Sequence, residues 1–174
     1  MIHETQLEPL PPEIDGAALR QVCGHFATGV TVITAGDDEG AAGTTVNSFT
    51  SVSLEPPLVL ICLHENSRLL PVVQRSQGFT VNFLTHQQER LAWAFAGKQT
   101  ARLDEVDHHR APSGQPVLNG ALAHLECRLA AEYDGGDHSI LLGEVIGLAS
   151  AEEPEAPLIF FQGAMRGLAA ASAR

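Results

Sequence analysis

The chain has 174 residues, with 10 Lys plus Arg against 21 Asp plus Glu, so its formal net charge is −11. That length suits one domain with a substantial core, and 44 % hydrophobic with 18 % charged residues argues against a disordered chain. The acidic balance argues against a nucleic-acid duplex or an anionic membrane as partner, although a local positive site would still bind a small anion.

Both ends of the chain differ in composition from its middle. Residues 1–14 are polar and Pro-rich and are predicted to form a flexible N-terminal arm. They lack the basic start and apolar core of a signal peptide, and the longest apolar run, residues 58–63, is too short to cross a bilayer, so a cytoplasmic protein is expected. No internal repeat or linker is evident, so residues 15–168 are predicted to be one domain and residues 169–174 a C-terminal tail.

The first predicted helix is marked by its apolar spacing. Leu19, Val22, Cys23 and Phe26 stand at positions i, i+3, i+4 and i+7, which form one face of a helix. Asp15 is a suitable N-cap for that helix.

Strand patterns follow the first helix. Residues 30–34 are β-branched, residues 36–40 form a turn cluster, and residues 42–46 resume an extended pattern, so these segments predict a hairpin. Residues 58–63 are a continuous apolar run behind two prolines, which predicts a strand buried on both faces.

A proline complicates the next helix. Residues 67–75 have helical character but contain Pro71, so the helix is predicted to begin close to Pro71, with Ser67 and Arg68 in the loop before it. Alternation of apolar and polar side chains over residues 79–83 then predicts a half-buried strand.

The third predicted helix has signals at both ends. Thr85 and Gln88 form a capping-box pattern, Leu91 and Phe95 form an apolar i, i+4 pair, and Gly97 suits the position just beyond the helix end.

The last third of the chain combines a long loop with further strands. Residues 98–119 are polar and irregular, which is typical of a functional loop. From residue 121 the odd-numbered side chains up to residue 129 are apolar and face one way, while His124, Glu126 and Arg128 face the other. Residues 140–148 and 158–161 are further strands. Short strands with few helices predict a mainly β, antiparallel barrel.

Several familiar site motifs are absent from the sequence. There is no Gly-x-Gly-x-x-Gly, no phosphate-binding Gly-x-x-x-x-Gly-Lys-Ser/Thr and no Gly-x-Ser-x-Gly.

The three cysteines form no Cys-x-x-Cys and are expected to be small buried hydrophobes. The acidic and His-containing run at residues 104–109 is predicted to be a solvated loop and not a metal site, because adjacent histidines do not share a helix face. We interpret His25, His64, His86 and His124 as structural or surface histidines.

The most informative stretch is residues 44–53, which places hydroxyls and one amide on a short extended segment. Such groups, with the backbone N–H groups beside them, can form hydrogen bonds with the carbonyl and ring-nitrogen atoms of a flat heterocycle. A Thr/Ser-rich edge strand is the other interpretation, and the residue types alone leave both open.

Two longer segments are distinctive, HFATGVTVIT at residues 25–34 and TVNSFTSVSLEPPLV at residues 45–59. Both resemble the flavin reductase family, the NAD(P)H-dependent reductase components of two-component flavin-dependent monooxygenases. Shorter matches follow in the same order, so that the resemblance spans residues 19–168. They lie at residues 67–68, 79–82, 95–97, 116–118, 136–138, 143–145 and 157–161.

The resemblance implies an antiparallel Greek-key split β-barrel that binds FMN or FAD, as a homodimer with each flavin near the subunit interface. The positions matching the family's flavin-binding segments are Thr45, Val46, Asn47, Ser48, Phe49, Ser51, Val52, Ser67, Arg68, Phe95 and Gly97. The positions matching its nicotinamide-nucleotide motif are Gly136, Asp137 and His138. Met165 stands where the family often has an aromatic residue.

The implied function is reduction of FMN or FAD by NADH or NADPH, with the reduced flavin passed to a separate monooxygenase. No acid–base residue is required, because the cofactors carry the hydride chemistry. Two alternatives are a split-barrel flavoprotein that holds FMN tightly and passes electrons elsewhere, and a non-catalytic flavin-binding module. The sequence does not choose between the two flavins or the two nicotinamides.

Overall fold

Twelve strands and three helices build the fold within residues 14–97, 101–152 and 155–168, which are the parts of the chain described by this computed structural model. The helices are α1 (Gly16–Cys23), α2 (Leu69–Ser76) and α3 (Glu89–Phe95). The strands are β1 (Thr28–Gly29), β2 (Thr31–Asp37), β3 (Gly40–Val46), β4 (Thr50–Leu54), β5 (Pro57–His64), β6 (Gly78–Phe83), β7 (His108–Arg110), β8 (Pro116–Leu118), β9 (Ala123–Asp134), β10 (His138–Ser150), β11 (Leu158–Phe161) and β12 (Ala164–Gly167). The predicted tail and all but the last residue of the predicted arm lie outside these ranges.

The main sheet has seven strands in the order β3-β2-β6-β9-β10-β5-β4, and all of its pairings are antiparallel. A second sheet places β11 between β1 and β12, and β7 pairs with β8. The predicted mainly β, antiparallel architecture is therefore confirmed. Within the described ranges, no helix is long and apolar enough to cross a membrane.

Two hydrophobic clusters form the core on opposite faces of β2. Ile33 packs with Phe79 and Val73 under α2, whereas its neighbour Val32 packs with Phe95 under α3. Successive side chains of a strand point to opposite faces, so β2 contributes to both clusters. This explains why a short β-branched segment lies at the centre of the molecule.

Local signals predict several element boundaries correctly. The Asp15 carboxylate accepts hydrogen bonds from the N–H groups of Ala17 and Ala18 at 2.9 and 2.7 Å, which makes it the N-cap of α1. Strands β2 and β3 form the predicted hairpin. Helix α2 begins two residues before Pro71, where the first-turn N–H groups have no helical partner in any case. Arg68 therefore precedes the helix as predicted.

The helix at the start of the domain differs from the core helices. It ends at Cys23, before Phe26, and none of its residues is buried. Leu19, Val22 and Phe26 of the apolar face are all exposed in the single chain.

The predicted burial of two strands is wrong. On β5 only Val59, Ile61 and Leu63 are buried, and the alternate side chains are partly exposed because no second layer within the described residues covers them. By contrast, β6 is buried on both faces and not on one, because β8 lies over its polar side chains. The Asn82 amide there accepts the N–H of Leu118 at 2.9 Å.

The region predicted as an irregular polar loop contains regular structure. Residues 101–119 include a 3₁₀ turn, Leu103–Glu105, and the β7–β8 pair. This pair also buries the carboxylate of Glu126, which belongs to the polar face of the predicted alternation. Its Oε2 accepts the N–H of Ser113 at 3.1 Å. The acidic run nearby is held by local pairs, and the Arg102 guanidinium lowers the pKa of Asp104.

Candidate functional site

A cavity with a volume of about 730 Å³, within the range of ligand pockets, opens in the described part of the chain. Strand β3, the loop from β5 to α2 and the end of α3 enclose it. Its lining residues are Gly43, Thr44, His64, Asn66, Ser67, Arg68, Leu69, Ala96 and Gly97. None of them is acidic, although the chain carries 21 acidic residues, so the cavity is locally positive.

The loop between β5 and α2 is held in a compact shape by its own hydrogen bonds. The Ser67 N–H donates to the His64 carbonyl at 2.8 Å, and the Asn66 N–H donates to His64 Nδ1 at 3.0 Å. A backbone N–H can only donate, so Nδ1 of this imidazole is unprotonated and Nε2 carries the hydrogen. His64, interpreted from the sequence as an ordinary histidine, therefore supplies a fixed donor in the wall of the cavity.

Arg68 gives the cavity its cationic group. It is exposed and makes no ion pair or side-chain hydrogen bond with any described residue. The N-terminus of α2 follows immediately, and helix N-termini favour anions. An unpaired guanidinium beside a helix N-terminus fits a phosphate group well, because charge-assisted hydrogen bonds to phosphate are strong.

A second cavity of about 220 Å³ lies next to the first, and Ala96 lines both. Its other lining residues are Val30, Thr45, Val46, Asn47, Trp93, Phe160 and Met165. Three large apolar side chains give it a hydrophobic character suited to a flat ring. Asn47 makes no side-chain hydrogen bond within the described residues, so its amide is available at this cavity.

Six of the eleven predicted flavin-binding residues line one of the two cavities: Thr45, Val46, Asn47, Ser67, Arg68 and Gly97. Thr45 does so with its hydroxyl already engaged, because Oγ1 donates to the Ala92 carbonyl at 2.6 Å. This bond fastens β3 to α3, so the two walls of the smaller cavity are connected.

Three further predicted residues support the cavity walls and do not line them. Ser48 Oγ donates to the Cys62 carbonyl at 3.1 Å and accepts its N–H at 3.0 Å, which ties this segment to β5. Phe49 packs edge-to-face on Phe83 at 5.0 Å. Phe95 is fully buried beneath Gly43, where an added Cβ would lie 3.0 Å from the Phe95 ring.

Ser51 and Val52 lie apart from both cavities. They occupy the edge strand β4, where both are exposed, and they line neither cavity in the single chain. The interpretation of this stretch as an edge strand is therefore correct for residues 50–54, while the residues just before them form the cavity wall.

The predicted nicotinamide-binding residues lie on the turn between β9 and β10 and at the first position of β10. Gly136 adopts a positive φ of 82°, and its N–H donates to Asp134 Oδ1 at 2.8 Å. His138 Nδ1 lies 2.7 Å from Asp137 Oδ1, and this hydrogen bond lowers the pKa of the Asp137 carboxyl.

This turn is attached to the larger cavity through His64. The imidazole rings of His64 and His138 pack at 5.1 Å, and the Glu65 N–H donates to the Asp137 carbonyl at 3.0 Å. The turn itself does not line the cavity. The structure therefore brings the two predicted groups of binding residues together through a contact that the sequence did not indicate.

Known proteins that are similar in sequence to this chain are flavin reductases, which agrees with a site for a phosphorylated ligand. The sequence model of the Flavin reductase like domain matches residues 23–169. The chain is 40 % identical over 155 residues to the reductase subunit HsaB of a flavin-dependent monooxygenase from Rhodococcus jostii, covering 89 % of this chain and 79 % of that protein. It is 46 % identical over 137 residues to an NADH-dependent FAD reductase from Streptomyces globisporus, covering 76 % of this chain and 75 % of that protein.

Solved structures extend the similarity to the fold. The NADH:FAD oxidoreductase of Streptomyces globisporus, in complex with NAD and FAD fragments, matches with a TM-score of 0.88 and 40 % identity over 96 % of this chain and all of that chain. The flavin reductase component BorF of a bacterial tryptophan halogenase matches with a TM-score of 0.83 and 36 % identity, over 88 % of this chain and 98 % of that chain. The predicted split β-barrel is confirmed, and the chain belongs to the flavin reductase like domain family.

Proposed function

We propose that this protein is an NAD(P)H-dependent flavin reductase that supplies reduced FMN or FAD to a separate monooxygenase. The observation that carries the proposal is the pair of adjacent cavities that share Ala96, with the cationic Arg68 at one and an apolar, Trp93-lined space at the other. A phosphorylated ligand with a flat ring suits that combination. The relatives whose names describe reductase subunits of monooxygenases support the same role.

When flavin and nicotinamide are bound, they supply the hydride acceptor and donor of the reaction. The protein's task is to bind and orient. Arg68 and the start of α2 attract the phosphate, and Asn47 offers an amide to the polar edge of the ring system. The bond to Asp137 fixes the ring of His138, which can then contact the nicotinamide nucleotide in one orientation. No residue is required to take or give a proton.

A homodimer is part of the proposal. Apolar side chains of the single chain remain exposed on two strands of the main sheet, namely Val52 and Leu54 on β4 and Ile146 and Leu148 on β10. Strand β4 is also a sheet edge, and such edges favour pairing or coverage. Sedimentation at micromolar concentration should give a dimer, and Leu54→Asp should shift it towards the monomer. A clean wild-type monomer would contradict this part of the proposal.

The catalytic proposal is tested with FMN and FAD, each combined with NADH and NADPH. We expect oxidation of the nicotinamide to depend on added flavin, to saturate with it, and to proceed with protein that is pale when purified. NADH oxidation without added flavin would instead indicate a tightly bound FMN and the alternative electron-transfer role. Failure of all four combinations would leave only flavin binding and would contradict the reductase proposal.

A further inference from the structure

Trp93 is the single tryptophan of the chain, and its environment is unusual for that residue type. It lies on α3 with 49 % of its surface exposed, although tryptophans are on average highly buried. Part of its exposed surface lines the smaller cavity. A large aromatic surface is thus presented to a space that a ligand can enter.

The indole ring is held in place from its own helix. Trp93 Nε1 donates to Glu89 Oε1 at 3.2 Å, one helical turn earlier. Residues at i and i+4 are neighbours on a helix surface, so this bond restricts the ring without drawing it out of the cavity. The ring orientation is therefore fixed before a ligand binds, which lowers the entropic cost of binding.

The other walls of the cavity select a flat apolar group. Phe160 and Met165 lie on the neighbouring strands β11 and β12, and both line the cavity together with Trp93. Its volume of about 220 Å³ is below the 300–1,000 Å³ typical of complete ligand sites, so it accommodates one ring system and not a whole nucleotide. The rest of the ligand must extend past Ala96 into the larger cavity.

We propose that Trp93 stacks on the isoalloxazine ring of the flavin and is a flavin-binding residue of this site. The inference rests on the proposed flavin-reductase function. FMN carries a flat ring at one end and a phosphate at the other, which matches an aromatic cavity joined to a cavity containing Arg68. Stacking on Trp93 covers one face of the ring and leaves the opposite face for the nicotinamide.

The emission of bound flavin tests the stacking directly, because an indole in contact with the ring quenches flavin fluorescence. Riboflavin and FMN are measured with enough protein to bind all of the flavin, without NADH. We compare wild type with Trp93→Phe, which keeps an aromatic face, and Trp93→Leu, which keeps apolar volume only. Bound flavin should be dark in wild type, brighter in Trp93→Phe and brightest in Trp93→Leu.

Affinity measured by calorimetry gives a second readout. Stacking of a base on an aromatic side chain is worth about 1–3 kcal/mol, or roughly 5- to 150-fold in Kd. Trp93→Leu should therefore weaken riboflavin and FMN equally and by about tenfold, with a smaller loss for Trp93→Phe. Glu89→Ala, which frees the indole without removing it, should brighten bound flavin less than Trp93→Leu does. Thermal unfolding of the variants confirms that each is folded.

Three outcomes would overturn the inference. The first is bound flavin that is equally dark, with an unchanged Kd, in wild type and Trp93→Leu. The second is a loss of AMP affinity in Trp93→Leu with riboflavin unaffected, which would place an adenine ring on Trp93 instead. The third is a wild-type protein that binds no flavin, which would overturn the proposed function as well. Flavin binding and quenching without NADH oxidation would contradict only the reductase function.

Discussion

The imidazole rings of His64 and His138 pack edge-to-face with their centroids 5.1 Å apart. The two residues are directly opposite each other in the pairing of β5 with β10. His64 lines the larger cavity, whereas His138 begins β10 beside Asp137 of the preceding turn. This contact is the point at which the proposed flavin and nicotinamide sites meet, so the position of one ring depends on the other.

The contact predicts how variants of the two histidines differ. His138→Ala should raise the KM for NADH by roughly tenfold, the loss of about one hydrogen bond, while riboflavin affinity stays near normal. His64→Phe keeps an aromatic edge against His138 and should disturb the KM less than His64→Ala. Stopped-flow reduction of bound flavin at varied NADH concentration measures the effect. Loss of flavin binding with a normal reduction rate in His138→Ala would contradict the nicotinamide role.

The same variant has a consequence for the Asp137 carboxyl. Its pKa is lowered mainly by the hydrogen bond from His138. His138→Ala should therefore let the pKa of Asp137 rise towards its ordinary value, as measured by carbon-13 NMR of the carboxyl. An unchanged pKa would mean that the hydrogen bond is not formed in solution.

Arg68→Ala tests phosphate binding. A charge-assisted hydrogen bond contributes about 1.5–3 kcal/mol, so FMN affinity should fall by tenfold or more. Riboflavin lacks the phosphate, and its Kd should not change. Arg75→Ala is the matched control, because Arg75 lies on α2, which Arg68 precedes, but is already paired with Asp37 and Glu39. An equal loss for FMN and riboflavin would show that Arg68 supports the structure of the site and not phosphate binding.

Short-range signals account for the features that the sequence predicts well. Asp15 caps α1 through N–H groups two and three residues away, and the β2–β3 hairpin is set by its own turn. The position of Arg68 before α2 follows from Pro71, three residues later. In each case the signal lies only a few residues from the feature that it determines. Capping, proline and turn residues therefore suffice to predict these features.

Contacts between distant segments account for the features that it misses. Asn82 is buried because β8, 36 residues later, lies over it and donates the Leu118 N–H to its side chain. His138 contacts the wall of the larger cavity only through His64, 74 positions earlier in the chain. Trp93 on α3 and Phe160 on β11 share a cavity although they lie on separate elements far apart in the sequence. Local periodicity does not indicate which distant segments come into contact. The family resemblance identifies only the residues that match a shared motif.

The three thiols are predicted to react at very different rates. Cys23 is exposed on α1, whereas Cys127 is only 1 % exposed and burial raises its pKa to about 12. Burial also raises the pKa of Cys62, against a smaller opposing effect of the Ser48 hydroxyl. Since the thiolate is the reactive form, iodoacetamide at pH 8 should label Cys23 first, Cys62 slowly and Cys127 only on unfolding. Rapid labelling of Cys127 in the folded protein, seen by mass spectrometry, would contradict its burial.

The last prediction concerns a close approach between strands in the core. A Cβ added at Gly143 would lie 2.5 Å from Phe79 Cζ and 3.0 Å from Cys127 Cβ, and Phe79 is fully buried. Gly143→Ala should therefore destabilise the protein by about 1–3 kcal/mol through overpacking, as measured by urea unfolding.

Gly29→Ala is the control, because nothing lies within 4 Å of the added Cβ and the free energy of unfolding should change by less than about 0.5 kcal/mol. Phe79→Leu removes the ring tip that the new methyl group meets. The loss caused by Gly143→Ala should therefore be smaller in a Phe79→Leu background than in wild type, because the two sites are in contact. Strictly additive losses, or equal losses for the two glycines, would show that Phe79 does not fill the space beside Gly143 in solution.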